Sequence, residues 1–298
     1  MFASSQLAKK VPFSISGDLG GVSIGDSSPT RVMGVINLTK NSFFPGSVKI
    51  GKEKIMEAAL EMEKAGADCI DLGGRSTAPY RINEISEIVE TKLIRDATAL
   101  LRKKIMIPIS VDTTRFDPAK AGLSEGASIL NDVYGLHQKE GPKLAKLAAD
   151  RDCSLILTAH EMERKRGSPM NRTIAALKNS LEIAESCSVE PSKVTVDPGI
   201  GFFSDPVITN VEWNSEIIAN LENLRILFRP ICVGVSRKRF IGAILDDIPA
   251  SERLYGSLAA TSLVVYKRAH IVRTHDVKET LDAVRIAAEI RSHTAKNV

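Results

Sequence analysis

The chain has 298 residues, of which 43% are hydrophobic and 26% charged, so we expect a globular protein with a large core rather than a disordered chain. The 40 Lys and Arg residues exceed the 36 Asp and Glu residues by only four, and aromatic residues make up 5% of the chain. A charge this small and dispersed, with so few stacking side chains, predicts no nucleic-acid partner.

The four cysteines indicate a reducing compartment. Cys69, Cys153, Cys187 and Cys232 lie far apart and form no Cys-x-x-Cys pair, which is typical of free thiols in a cytoplasmic protein. The amino-terminal residues contain no apolar segment of the signal-peptide kind. No stretch approaches the roughly 18 consecutive apolar residues of a membrane span. We therefore expect a cytoplasmic location and no membrane partner.

The predicted elements begin with a hairpin. Two short runs of alternating hydrophobicity flank Asp18–Gly21. Beyond residue 30, short β-branched runs alternate with stretches whose apolar residues recur at helical spacing. The predicted strands are Arg31–Ile36, Cys69–Leu72, Ile107–Val111, Ser128–Leu130, Ser154–Leu157, Val194–Val196, Ile231–Val233 and His270–Val272. The clearest helical faces are Ile55, Ala58, Ala59 and Met62; Leu93, Ala97, Leu100 and Leu101; and Leu281, Val284, Ala287 and Ala288.

Strands that alternate with helices predict a parallel sheet, because parallel strands need a crossover helix between them. Eight repeats in about 270 residues match the (β/α)8 TIM barrel, for which roughly 250 residues are typical. The rival doubly wound sheet would carry a Gly-x-Gly-x-x-Gly fingerprint, which this chain lacks. We predict an α/β fold: a single-domain (β/α)8 barrel over residues 31–298, with the hairpin of residues 1–30 closing its bottom.

Polar or charged residues follow nearly every predicted strand. In chain order they are Asn37, the segment 71–77, Asp112, Asn131 and Asp132, His160 and Glu161, the segment 197–202, the segment 236–238, and the segment 273–276. One Asp or Asn after a strand is as often a turn or cap residue as a functional one. Eight such ends together indicate an active site at the carboxyl face, where the loops of a barrel converge.

The residue types divide into two sets of different chemistry. The set suited to a flat polar heterocycle comprises Asp112, Asn131, Asp197 and Lys238. The set suited to a phosphate-like anion, with or without a metal ion, comprises Asn37, Arg237, Arg273 and His275. Phe202 or a guanidinium group suits stacking on the ring. The His-x-His of zinc hydrolase barrels, a nucleophile elbow and a Walker loop are absent from the sequence.

These segments resemble the dihydropteroate synthases, a family of pterin-binding barrels in folate-type biosynthesis. The similarity runs from about Arg31 to Arg285 in the family's motif order. It passes through MGVINLTKNSF, GADCIDLGGRSTAP, ISVDTTRFDPAKAGLSEGASILNDV, VDPGIGF, VGVSRKRFIG, SERLYGSLAA and HIVRTHDVKET. The most specific parts are SRK-x-x-IG and the RxHDVKET segment.

The resemblance implies a transferase that forms a carbon–nitrogen bond. In the family an aromatic amine, p-aminobenzoate, displaces pyrophosphate from 6-hydroxymethyl-7,8-dihydropterin pyrophosphate. A homodimer is also implied, because family barrels often pair through their later helices, and the apolar face of Leu254–Val265 is compatible with such pairing.

The resemblance also implies roles for individual residues. The pterin-binding residues would be Asp112, Asn131, Asp197 and Lys238, and Asn37 would bind Mg²⁺ on the pyrophosphate. Arg273 and His275 would bind the pyrophosphate, with Arg273 also against the pterin face. Further candidates for substrate binding are Thr77, Phe202, Ser236 and Arg237. The candidate catalytic residues are Asp112, Asp197, Lys238 and Arg273.

Two loops depart from the family's pattern. The first has Lys40-Asn41 in place of Pro-Asp, and Pro45 in place of a second aspartate. The other has Arg75 and Ala78 in place of the Glu and Arg of GESTRP. The acceptor amine is therefore open. Arg75, Tyr80 and Arg81 could restore the lost positive charge or bind a bulkier, phosphorylated arylamine.

Two alternatives to a synthase remain, and so does one unassigned residue. A pterin-binding paralogue could have lost turnover through its altered loops. A corrinoid-linked pterin methyltransferase would share the barrel, but methyl transfer has no pyrophosphate for the SRK and RxHD segments to hold. His160 follows the fifth strand of the predicted barrel and could contact the pterin or simply bond within the barrel mouth.

Overall fold

The computed structural model describes residues 14–39, 51–75 and 85–294, and within them the chain forms a ring of eight parallel strands. Two strands of a hairpin come first, β1 (Ser16–Leu19) and β2 (Val22–Gly25). The barrel strands are β3 (Arg31–Asn37), β4 (Cys69–Gly73), β5 (Ile109–Asp112), β6 (Ile129–Asp132), β7 (Ser154–Thr158), β8 (Val194–Asp197), β9 (Cys232–Val233) and β10 (Ile271–Thr274). Their order is β8-β7-β6-β5-β4-β3-β10-β9, and a parallel bridge between Val196 and Ile231 completes the ring. The predicted TIM barrel is confirmed.

A helix follows each barrel strand on the outside of the ring. The helices are α1 (Lys52–Ala65), α2 (Glu87–Leu101), α3 (Phe116–Ser124), α4 (Gly141–Asp150), α5 (Pro169–Ser186), α6 (Asn210–Ala219), α7 (Arg239–Ile244), α8 (Leu254–Tyr266) and α9 (Val277–Thr294). Local sequence sets several of their starts. Ser168 Oγ accepts a hydrogen bond from the Asn171 amide ahead of α5, and Thr209 and Glu212 form a reciprocal capping box on α6. None of the described helices is long and apolar enough to cross a membrane.

Side chains along each strand point alternately outward and inward, so the barrel has an outer apolar core and an inner one. Outward residues such as Ile70, Leu72 and Val111 pack against the helices in one large apolar cluster. The inner apolar cluster consists of Leu19, Ile24, Met33, Cys69, Ile129, Ile156, Cys232 and Ile271. Leu19 and Ile24 come from the hairpin, so the hairpin itself supplies part of the barrel floor.

The hairpin closes the amino-terminal end of the barrel, as predicted. Its tip residue Gly20 has a φ of +62°, and a Cβ atom there would lie 2.5 Å from Ser128 Oγ, just ahead of β6. The Gly20 amide donates to Ser154 Oγ at 2.9 Å, at the start of β7. Asp26, which follows β2, forms a two-bonded ion pair with Arg225 at 2.6 and 2.9 Å. These contacts fix the hairpin against the barrel.

Several strands extend further toward their carboxyl ends than the apolar runs suggest. Asn37, Gly73, Asp112 and Asp197 are the last residues of their strands, whereas the prediction ended each strand before them. The third predicted strand also begins later, at Ile109. The amides of Met106 and Ile107 bond instead to Glu63 Oε1 of α1, at 2.7 and 3.2 Å.

Candidate active site

A polar layer lies above the inner apolar cluster, on the carboxyl side of the barrel. Asp71, Asn131 and Arg273 each follow an inner apolar residue by two positions, so alternation turns them into the barrel as well. Strand pairing sets Asp112 between Gly73 and Asn131. The polar layer comprises Asp71, Ser110, Asp112, Asn131, Thr195, Asp197 and Arg273.

Arg273 lies between two carboxylates in this layer. Its Nε donates to Asp71 Oδ2 at 2.6 Å, and its Nη2 donates to Asp112 Oδ2 at 2.7 Å. Asn131 Nδ2 donates to the same Asp71 oxygen at 3.1 Å. The structure therefore brings the predicted Asp112, Asn131 and Arg273 together, around Asp71.

Asp71 was not among the predicted site residues, although it is fully buried and bonded to two of them. In the sequence it looks like the start of the polar segment after the second predicted strand. The signal in the sequence that could have identified Asp71 is its position in the alternation of inward and outward side chains along the strand. Asp71 lies two residues after Cys69 within β4, so its carboxylate points to the same inner side.

Several polar atoms of the layer have no hydrogen-bond partner in the part of the chain that the structure describes. Asp71 Oδ1, Asp112 Oδ1, Ser110 Oγ and Thr195 Oγ1 are buried without a hydrogen bond among the described residues. A buried polar atom in that state costs about 1–3 kcal/mol, so a ligand that supplies N–H donors would recover this energy. The layer can therefore accept hydrogen bonds from a polar ligand.

Burial also changes how these groups ionise. Burial raises the pKa of Asp112 to about 7, against the opposing pull of Arg273 and with a further contribution from Asp71. Burial likewise raises the pKa of Asp197, although the Gly199 amide donates to its Oδ1 at 2.7 Å and Lys238 lies near. The ionisation of both carboxylates would therefore change when a hydrogen-bond donor or a cation binds next to them.

Lys238, in the loop after β9, is the fourth residue of the set predicted to bind a heterocycle. Burial and the charge of Arg273 lower its pKa to about 8, while Asp197 and Asp112 act in the opposite direction. Its Nζ lies 4.5 Å from the ring centroid of Phe202, so these two predicted residues are in contact. Gly201 has a φ of +82° and its missing Cβ would lie 3.3 Å from Lys238 Cδ, which leaves room for the lysine stem.

Ser236 and His275 form a pair on neighbouring strand ends. Ser236 Oγ lies 2.9 Å from His275 Nδ1, and the His275 amide donates to the same oxygen at 3.3 Å. Burial, together with the charges of Arg273, Lys238 and Arg237, lowers the pKa of His275 to about 3. The imidazole is therefore neutral at pH 7, and it can share hydrogen bonds but adds no charge.

Arg237 is an anchor of the loop after β9. Its Nε and Nη2 donate to the two carboxylate oxygens of Asp276 at 2.9 and 2.8 Å. Its Nη1 donates to the carbonyls of Ala250 and Ser251. Arg237 has a φ of +54°, which is an unfavourable backbone conformation for a residue other than glycine. The hydrogen bonds of its side chain hold the residue in that conformation. A contact between Arg237 and a substrate anion would compete with this network.

Of the remaining candidates, Asn37 and His160 lie in the described part of the chain and the others do not. Asn37 ends β3 beside Gly73, where a Cβ atom would lie 3.1 Å from Asn37 Oδ1. His160 packs edge-on against Tyr134, with ring centroids 4.6 Å apart. Thr77 lies outside the described residues, as do Lys40, Asn41, Pro45, Ala78, Tyr80 and Arg81.

Comparisons with known proteins agree with this geometry. The model of the family described as "Pterin binding enzyme" matches residues 33–275. A dihydropteroate synthase of Bacillus subtilis is 35% identical over 250 residues, which cover 84% of this chain and 85% of that protein.

Solved structures give the same result. Dihydropteroate synthase from Clostridium difficile, determined in the presence of pteroic acid, is 33% identical with a TM-score of 0.78, over 88% of this chain and 97% of that one. The Xanthomonas albilineans enzyme with 4-aminobenzoic acid is 27% identical with a TM-score of 0.81, over 96% and 100% of the two chains. The chain therefore belongs to the pterin-binding enzyme family and, within it, to the dihydropteroate synthases, transferases that form a carbon–nitrogen bond.

Proposed function

We propose that this chain condenses 6-hydroxymethyl-7,8-dihydropterin pyrophosphate with p-aminobenzoate and releases pyrophosphate, through the polar layer and the residues around it. The observation that carries this proposal is a buried set of carboxylates in which Asp71 Oδ1 and Asp112 Oδ1 have no hydrogen-bond partner among the described residues. Relatives with pteroic acid and with 4-aminobenzoic acid support the same pair of substrates.

The polar layer would bind the pterin ring. Asp112 and Asp197 accept hydrogen bonds from the amine and amide N–H groups of the ring, Asn131 adds an amide, and Lys238 donates to a carbonyl or ring nitrogen. Arg273, fixed by Asp71 and Asp112, presents its guanidinium plane to the ring and its charge to the leaving group.

The reaction then follows from charge placement. The bond between the exocyclic carbon and the pyrophosphate oxygen breaks, and its electron pair leaves with pyrophosphate while the dihydropterin ring supplies electrons to the carbon. Asp112 and Asp197 stabilise the positive charge that develops on the ring, and Arg273 stabilises the departing anion. The amine nitrogen forms the new carbon–nitrogen bond and loses one proton to solvent or to the departing pyrophosphate. Ser236, His275 and Thr77 would add hydrogen bonds to the pyrophosphate.

Magnesium would enter with the pyrophosphate. The described residues contain no cluster of three or more His, Cys, Asp or Glu side chains suited to hold a metal. Mg²⁺ is commonly bound by one or two protein oxygens together with substrate phosphates, and the amide oxygen of Asn37 fits that pattern. Asn37, at the end of β3, would hold the ion, which would neutralise part of the charge on the leaving group.

The ring-binding proposal is tested with a ligand that lacks the phosphates. We expect Asp197→Ala and Lys238→Ala to weaken binding of 6-hydroxymethylpterin, measured by calorimetry, and to lower turnover by on the order of 100-fold or more. Both variants should remain folded, because each side chain faces the ligand cavity. Unfolding of either variant at the purification temperature, or unchanged pterin affinity, would contradict the assignment.

We further propose a homodimer that forms over the later helices. A groove of about 520 Å³ between α6, α7 and α8 is lined by Ile218, Phe240, Ile241, Ile244, Leu245 and Leu263, among others. Ile244 and Leu263 are more than half exposed, at 53% and 57%. We expect Leu263→Asp to convert a dimer to a monomer in sedimentation velocity. Ile88→Asp, an equally polar change at an exposed residue of α2, should leave the dimer intact.

A cytoplasmic location is also proposed. Its support is that all four cysteines are free thiols, three of them buried.

A further inference from the structure

A charged cluster lies at the barrel mouth between the loops that follow β4 and β5. Its centre is Glu90, in the first turn of α2, with a fully buried side chain. Glu90 Oε1 accepts from Thr113 Oγ1 at 2.7 Å, and Oε2 accepts from Arg115 Nη1 at 2.8 Å. Arg75 Nε lies 3.8 Å from Oε2. One carboxylate thus faces two guanidinium groups, which leaves this rim cluster (Arg75, Glu90 and Arg115) with one surplus positive charge.

The two arginines differ in how fully they are bonded. Arg115 Nη1 donates both to Glu90 and to the backbone carbonyl of Ile85, at 3.0 Å. Arg75 Nη2 donates to Thr114 Oγ1 at 2.9 Å, but its Nε has no hydrogen-bond acceptor among the described residues. A guanidinium group has five N–H donors, and 19% of the Arg75 side chain is exposed. Arg75 is therefore held in position and still has donors to offer.

Strand pairing places Arg75 next to the polar layer. Gly73 of β4 pairs with Asp112 of β5, and Arg75 and Thr114 each lie two residues beyond that pair. The bond between Arg75 and Thr114 therefore continues the contact of the two strands toward the mouth. Burial is the main cause of the raised pKa of Asp112. The charge of Arg75 is close enough to act on this pKa in the opposite direction. Arg75 thus borders the space directly above the ring-binding carboxylates.

The charges of the two regions are opposite in sign. When fully ionised, the polar layer with Lys238 holds three carboxylates and two cations, which gives one surplus negative charge. The carboxylates are Asp71, Asp112 and Asp197, and the cations are Lys238 and Arg273. The rim cluster has one surplus positive charge. A substrate with a donor-rich ring below and an anionic group above would match both regions.

We propose that Arg75 binds an anionic group of a substrate seated above the polar layer, and that Glu90 and Thr114 are the residues that position it. This inference rests on the proposed function for the nature of the ring. Two anionic groups have the required chemistry, the pyrophosphate of the pterin substrate and the carboxylate of the arylamine. A guanidinium group recognises either one through paired N–H donors.

Calorimetry on the full chain distinguishes the two sources without requiring turnover. Arg75→Gln removes the charge and keeps a polar side chain, and Arg95→Gln is the matched control on the exposed face of α2. If the pyrophosphate is the partner, Arg75→Gln should weaken binding of inorganic pyrophosphate with Mg²⁺ by tenfold or more. If the carboxylate is the partner, it should instead abolish a tenfold or greater preference for p-aminobenzoate over neutral 4-aminobenzamide, measured with pterin and pyrophosphate present.

A loss of pyrophosphate affinity or a loss of the preference for p-aminobenzoate in Arg75→Gln supports the role of Arg75. The controls are that Arg95→Gln binds like the wild type and that the thermal midpoints of both variants are unchanged. Wild-type affinity of Arg75→Gln for both pyrophosphate and p-aminobenzoate would overturn it. Because both arms measure binding, a wild-type chain that binds these ligands but catalyses no condensation would refute the proposed function and leave the result on Arg75 standing.

Discussion

Asp112 and Lys238 titrate close to neutral pH because water is largely excluded from the polar layer. The pKa of Asp112 is raised to about 7, so the carboxylate that accepts N–H donors is lost as the pH falls below that value. The pKa of Lys238 is lowered to about 8, so its charge is lost as the pH rises above that value. We expect kcat/KM for the pterin substrate to be bell-shaped, with an acid limb and a basic limb near these two pKa values.

The acid limb should fall about tenfold per pH unit, as expected for one proton. Initial rates between about pH 5.5 and 9 measure it, and Asp112→Asn should lower the rate and remove the acid limb. A wild-type profile that is flat between pH 6 and 9 would show that neither group controls the reaction. His275 should not contribute a limb in this range, because its pKa is lowered to about 3.

Single residues also show where sequence analysis reaches its limit. Asp112, Asn131 and Arg273 were predictable because each stands at or next to the end of a predicted strand. The residue types of Asp112 and Asn131 suit a polar heterocycle, and that of Arg273 suits an anion. Glu90 was not, because in the sequence it belongs to a Glu-rich helix start that reads as a solvated face. Its burial depends on Arg115, 25 residues further along the chain, and on Arg75 from another loop. Such partners meet only in the folded chain.

At the scale of elements, Arg172 of α5 joins the loops after β7 and β8. Its guanidinium donates to Glu161 through Nε at 2.8 Å and to Asp205 through Nη1 at 2.7 Å. It also lies over the indole ring of Trp213, with Cζ 4.5 Å from the ring centroid. Only 3% of the Arg172 side chain is exposed, and removal of the arginine would take an ion pair from each of two carboxylates, Glu161 and Asp205, that are themselves largely buried.

We expect Arg172→Ala to lower the thermal midpoint by roughly 10 °C. Arg164→Ala is the matched control, because Arg164 also pairs with Asp205 but has a half-exposed side chain. It should cost no more than about 2 °C. Calorimetric melting of the three proteins makes the comparison, and equal losses in both variants would contradict the special role of Arg172.

Elements as a whole were more predictable than their ends. The eight strands lie where the β-branched runs are, because a strand that is buried on both faces needs a continuous apolar sequence. The last residues of the strands were missed for the same reason. Asn37, Asp112 and Asp197 are polar, so the apolar pattern stops before them although the ladder continues. None of the three belongs to the apolar clusters of the barrel.

For the whole molecule, the hairpin floor should affect stability and leave the chemistry unchanged. Leu19 is fully buried in the inner apolar cluster, below the polar layer. We expect Leu19→Ala to lower the free energy of unfolding by about 2–5 kcal/mol, with the KM for the pterin substrate unchanged. Urea unfolding and steady-state kinetics measure the two quantities.

Leu60→Ala on α1 is the matched control for that substitution. Leu60 is 41% exposed, so the same loss of side chain should change the free energy of unfolding by no more than about 1 kcal/mol. A raised KM for the pterin substrate in folded Leu19→Ala would mean that the apolar floor affects substrate binding in the polar layer. That result would contradict the expectation that the floor contributes to stability alone.

The barrel has an apolar floor, a buried polar layer above it and the rim cluster with one surplus positive charge. We propose that this arrangement joins a pterin to an arylamine. The most direct measurement is pyrophosphate release from 6-hydroxymethyl-7,8-dihydropterin pyrophosphate with Mg²⁺, with and without p-aminobenzoate. We expect release that requires the amine, with dihydropteroate as the second product, and we expect Asp197→Ala to lose this release. Demonstrated pterin binding without amine-dependent release would contradict the account and favour a pterin-binding protein that has lost turnover.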